Sequence, residues 1–175
     1  MAQIEKLIPF LLKWEAGVTP RNGETTEQLF MRAKKKGTAN DPDDLGGLTL
    51  CGITNATYQY YYPGSVHNLT YAQWLSILHR GFWDKWQADN ILSQRVANLL
   101  VDWVWASGTY GIKIPQRVLG VTVDGIVGTK TLAAVNKRDP ARLFAQMKQE
   151  RIDYIDRICQ TRPQNRKFRK GCSTG

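Results

Sequence analysis

Pro42-Asp43-Asp44-Leu45-Gly46-Gly47-Leu48-Thr49-Leu50-Cys51-Gly52-Ile53-Thr54 crowds turn formers into its first half and strand formers into its second. Asp, Pro and Gly terminate regular structure, whereas the Thr and Ile that follow suit an extended backbone, so a small β-hairpin is predicted near residues 45–55. Everything around it carries helical periodicity. Upstream, Ile4, Leu7, Ile8, Leu11 and Leu12 recur at the spacing of an amphipathic helix running to about Gly17 and bent at Pro9. Downstream, Thr70 and Gln73 have capping-box spacing at the head of a helix carrying Trp74, Leu75, Ile77, Leu78 and Phe82. Val96, Leu99, Leu100, Trp103 and Val104 predict a further buried helix that stops near Gly108. Gly120 to Gly128 reads as a tight loop and Thr129 to Asn136 as a short helix. Asp139 with Pro140 opens a last helix through Leu143, Phe144, Met147, Tyr154, Ile155 and Ile158. The expected fold class is mainly α with that one hairpin.

The stretch from Thr19 to Asn40 breaks the pattern. Pro20, Asn22-Gly23 and the basic run Lys34-Lys35-Lys36 surround a possible short helix at Leu29 to Ala33, and the stretch reads as an insertion at about 18–40. From Arg162 the tail is basic and without acidic residues. No period of the length used by repeat folds is present.

Length and composition narrow the function classes. With 175 residues, 42% of them hydrophobic and six Trp, the chain can build a real core, which excludes disordered and low-complexity readings. No apolar run reaches the roughly 20 residues of a transmembrane helix. The first residues lack a basic n-region followed by a long apolar run, so no secretory signal peptide is expected. Cys51, Cys159 and Cys172 form no CxxC pair and are read as thiols. His67 and His79 lie in no ligand pattern, so neither a metal nor a cofactor is expected. The net charge of +9 points to an anionic partner, which could be nucleic acid, anionic lipid or wall polymer. No helix-turn-helix, RNA-binding sheet or zinc-finger signature favours a specific nucleic acid.

Candidate chemistry begins at Glu15. Eleven residues after Ile4, at about 100° per residue, it returns to the apolar face, which aims a carboxyl group inward at the end of a core helix. Burial there would raise its pKa toward values useful to a general acid, as glycosidic cleavage requires. A helix-terminal glutamate making a cap or a salt bridge fits the same position. Asp41, Asp43 and Asp44 are the natural source of a second carboxylate, and are equally ordinary turn formers. Thr49 can orient a water or a sugar hydroxyl, or simply form strand.

In order along the chain, Glu15-Ala16-Gly17, the block Pro42 to Thr54, Phe82-Trp83-Asp84, and Asp102 through Ser107-Gly108 resemble glycoside hydrolase family 108. These are lysozyme-like N-acetylmuramidases of bacteria and phages, including proteins of the secretion-activator and endolysin type. Pro115 to Val121, Asp124-Gly125-Ile126-Val127-Gly128 and Thr131-Leu132 are similar to the peptidoglycan-binding segment that completes such proteins. The resemblance implies a lysozyme-like catalytic region over 1–108, a helical peptidoglycan-binding segment over 109–175 on the same globule, and a basic tail from 162. It implies hydrolysis of the β-1,4 bond between N-acetylmuramic acid and N-acetylglucosamine. Glu15 would protonate the glycosidic oxygen, while Asp44 and Thr49 would hold water or stabilise the oxocarbenium-like transition state. Gly46 and Gly47 would let the backbone approach sugar, and Tyr58, Trp83 and Asp102 would contact substrate, although helix-spaced aromatics are more often core. The expected partner is the peptidoglycan glycan strand, met by a monomer after holin, lysis or dedicated export.

The chain departs from the family pattern in four places. Ala16 stands where the pattern has a glycine, the 18–40 stretch is extra, Leu50-Cys51 replaces a polar and an aromatic residue, and the ending at Gly171-Cys172 lacks a tryptophan. Ala16 is harmless if its backbone is helical and damaging if a positive φ is needed. A lytic transglycosylase using Glu15, a non-catalytic wall-binding module and a basic nucleic-acid binder are the competing readings.

Overall fold

The computed structural model describes residues 1–40 and 49–161, which form two compact bodies, one spanning Gln3–Trp83 and one made of Met1–Ala2 with the chain from Asp84 onward. The fold is mainly α and lysozyme-like, with one two-stranded antiparallel sheet among the described residues.

The Gln3–Trp83 body starts with a 3-10 turn at Ile4–Lys6, followed by α1 (Ile8–Ala16). The expected continuous helix is therefore split. Pro9 lies in the first turn of α1, where its missing N–H leaves no bond unmade, so it begins the helix rather than bending it. Ile8, Leu11 and Leu12 bury one stripe of α1. Next comes α2 (Thr26–Asn40), a 15-residue helix where only a short one is predicted. Leu29, Phe30 and Ala33 are essentially fully buried, and α2 packs on α1. The 18–40 stretch thus belongs to the core of this body. Its stripe is hard to read because three lysines immediately follow it, and tertiary packing overrides that polar run.

Strands β1 (Thr49–Leu50) and β2 (Ile53–Thr54) pair antiparallel in the register Thr49 to Thr54 and Leu50 to Ile53. Leu50 and Ile53 face the core and both threonines face water, the alternation expected of a half-buried hairpin. Thr54 then caps α3 (Asn55–Tyr61), its side chain accepting from the Thr57 N–H, so the tyrosine-rich segment is a helix. α4 (Tyr71–Leu78) opens with the full Thr70/Gln73 capping box and runs into a wider turn at His79–Trp83. Phe30 of α2 lies 5.4 Å from Trp74 and 5.6 Å from Tyr71, ring centroid to centroid, and this aromatic cluster joins α2 to α4.

In the second body, 3-10 turns at Asp84–Trp86 and Ala88–Asn90 lead to α5 (Gln94–Ser107), which stops at Gly108 as its sequence predicts. α6 (Tyr110–Leu119), α7 (Thr129–Lys137) and α8 (Pro140–Thr161) follow. α5 is the central helix, with Val96, Ala97, Leu100, Val101, Trp103 and Val104 buried, and it packs against both α6 and α8. No helix among the described residues is long and apolar enough to cross a membrane.

Candidate active site

Glu15 sits in the last turn of α1, on the stripe of Ile8, Leu11 and Leu12 but exposed to water. The inward, buried carboxyl expected from the sequence is therefore corrected. Counting from Ile4 at a uniform 100° per residue spans the 3-10 turn, and α1 outruns the core before it reaches residue 15. The next position explains a departure from the family pattern. Ala16 is the final residue of α1, and the left-handed backbone falls on Gly17, at φ 62° and ψ 33°. The glycine requirement is met one residue later, so Ala16 is accommodated without strain.

Helix α2 supplies the surroundings of this helix end. Lys36 donates from Nζ to the Gly17 carbonyl at 3.1 Å, satisfying a backbone acceptor beyond the end of α1. Cys51, in the turn between β1 and β2 at φ 48°, is buried. Its thiol is pushed up to about 12, chiefly by desolvation; Lys34 opposes the shift and the Glu15 carboxylate adds to it. Glu15 and Lys34 therefore each lie within electrostatic reach of the hairpin turn. Trp74 fixes that turn from beneath by donating its indole N–H to the Cys51 carbonyl at 3.0 Å. Thr49 is exposed at the start of β1. Lysines 34 and 36 and Cys51 were not singled out as site residues in the sequence; the Lys34 to Lys36 run is the only local signal, and a charge run by itself usually marks a solvated face.

The remaining expected site residues divide three ways. Asp44, Gly46 and Gly47 lie outside the described residues. Tyr58 and Trp83 are at most 2% exposed, so neither ring has a face free to stack on a sugar, and both act as core. Asp102, in α5, is buried and forms an ion pair with Arg151 of α8, which corrects its expected place on the substrate. Arg151 continues the stripe of Leu143 and Met147 at intervals of four, a pattern that marks a buried charge awaiting a partner. Among the described residues, no group of three or more His, Cys, Asp or Glu side chains is placed to hold a metal ion.

The fold class is that of a mainly helical, lysozyme-like protein, and the fold by itself assigns no reaction. Comparison with known families makes the class specific: residues 30–108 match the model of glycosyl hydrolase 108, and residues 110–173 match that of the predicted peptidoglycan domain. The two segments of the chain belong to those families, with peptidoglycan as the partner. Glu15 precedes the first matched segment. Among solved structures, the chain is similar to that of Brucella abortus SagA at 27% identity and a TM-score of 0.61, covering 82% of this chain and 91% of that one. No curated protein sequence matches the chain.

Proposed function

We propose that the chain is an N-acetylmuramidase that hydrolyses the β-1,4 bond between N-acetylmuramic acid and N-acetylglucosamine, acts at the bacterial wall, and uses Glu15 as its general acid. The observation that carries this reading is the position of Glu15: a carboxyl group open to solvent at the end of an apolar helix stripe, near the hairpin that begins at Thr49. An open carboxyl can receive a polymer. The glycan chain, once seated, excludes water from around the acid. Glu15 then gives its proton to the glycosidic oxygen as the C1–O bond breaks and the electron pair passes to the leaving hydroxyl. Water adds to C1, and its proton passes to a base. Asp44 is the proposed second carboxylate, five positions before Thr49 in the chain, and the Thr49 hydroxyl would orient the water.

Purified peptidoglycan digested by the wild type and by Glu15→Gln, with product ends read by mass spectrometry, tests the proposal. The wild type should release reducing N-acetylmuramic acid ends, and the variant should lose about 100- to 10,000-fold in rate. Anhydro-sugar ends would instead assign a lytic transglycosylase. Cleavage undiminished in the variant would remove Glu15 from the mechanism.

A further inference from the structure

The second body presents apolar side chains to water beside a basic helix face. Tyr110, at the head of α6, is 58% exposed, and Val123 and Ile126, in the loop between α6 and α7, are 49% and 71% exposed. Single apolar side chains are ordinary on a surface, whereas a group drawn together marks contact with something else. The group is drawn together here because the loop lies against the start of α6. A Cβ at Gly125 would meet the Thr109 methyl at 2.8 Å and the Lys113 Cε at 3.2 Å.

The loop is held in this shape from within. Gln116, fully buried in α6, accepts from the Gly125 N–H at 2.9 Å and donates to Asp124 Oδ1 at 2.9 Å and to the Ile126 carbonyl at 3.0 Å. Asp124 Oδ1 also accepts from the Ile126 N–H at 2.9 Å. Both backbone groups of Ile126 are therefore bonded inside the loop, which fixes its side chain outward.

Cations flank the apolar tip. Tyr110, Lys113 and Arg117 recur at i, i+3 and i+7 on the exposed side of α6, opposite the buried Ile112, Pro115, Gln116 and Leu119. Lys130, the second residue of α7, is exposed just beyond the loop. The one acid between Tyr110 and Lys130 is Asp124, whose Oδ1 is engaged by the loop's own bonds. A soluble polyanion would use these cations and leave Val123 and Ile126 in water. An anionic bilayer uses both: headgroup phosphates meet the ammonium and guanidinium groups, while the aliphatic side chains and the tyrosine ring enter the boundary with the acyl chains. We propose that this face of the second body docks on an anionic phospholipid membrane. The inference goes beyond the muramidase reading and does not depend on it.

Co-sedimentation of the full chain with vesicles of phosphatidylcholine, alone or containing about a third phosphatidylglycerol, tests the proposal. The protein should bind the anionic vesicles and not the neutral ones, and binding should weaken as salt is raised. Val123→Ser with Ile126→Ser removes the apolar tip at unchanged charge. Lys113→Gln, Arg117→Gln and Lys130→Gln together remove the cations, and each set should weaken binding by at least about tenfold. All five positions are exposed, so thermal unfolding should be unchanged in both sets, and Ile126→Ser alone serves should the pair prove unstable. Binding that survives the serine changes but not the glutamine changes would mark a surface for soluble polyanions and overturn the proposal. Failure to bind anionic vesicles, or binding unaltered by the glutamine changes, would overturn it as well.

Discussion

Asp102 of α5 and Arg151 of α8 form a buried ion pair, each side chain about a tenth exposed, while the Arg151 Nε and the neighbouring indole N–H of Trp103 lack acceptors among the described residues. A pair so placed sets the register of α8 on α5 more than it adds net stability, since desolvation offsets most of the attraction between its charges.

Breaking that pair from one side should therefore cost far more than removing it. Asp102→Asn or Arg151→Met alone should destabilise the fold by about 3 to 5 kcal/mol, because the surviving partner stays buried and uncompensated. The double variant should recover a large part of the loss. Denaturant unfolding of the four proteins measures the coupling, and additive losses would contradict the pairing.

Glu24 offers a pH readout at the start of α2. Its carboxylate accepts from Arg32 Nε and Nη2, each at 2.8 Å, and from the Arg21 N–H at 2.9 Å. The Arg32 bond above all holds its pKa down at about 2, from an ordinary 4.5, against the opposing effect of burial. A depressed folded value means that the interaction is fully present above the ordinary pKa and is lost as the pH falls through about 2. Carboxyl NMR should find the midpoint near 2, and Arg32→Met should return it toward 4.5.

Cys51 should be inert to thiol reagents in the native protein. With its pKa at about 12, the reactive thiolate is only about one part in ten thousand at pH 8. Peptide-level mass spectrometry after brief alkylation should find Cys51 unmodified in the native state and modified in denaturant. Rapid native labelling would show that the turn opens readily.

Gly17 is the position where the end of α1 is least tolerant. Gly17→Ala places a Cβ in the left-handed region, 2.9 Å from Lys36 Nζ, and should cost about 1 to 2 kcal/mol, mostly from backbone strain because the lysine can move aside. Gly17→Asn, which tolerates that backbone better, should cost less. Thermal unfolding ranks the two, and the opposite order would place the strain in the lysine contact.

Local features were legible in the sequence because local chemistry decides them. The Thr70/Gln73 box, the end of α5 at Gly108, Pro140 at the head of α8 and the small hairpin all follow from a residue and its near neighbours. Segment 18–40 was not legible, since its helix is held by burial against other elements. Periodicity identified the face of α1 that carries Glu15, yet whether that face meets core or solvent at residue 15 depends on where the neighbouring elements end. Likewise, the sequence marks Asp102 and Arg151 as charges on apolar stripes, 49 residues apart. Only the packing of α8 on α5 makes them partners, because a buried charge is tolerable solely where the fold delivers its opposite.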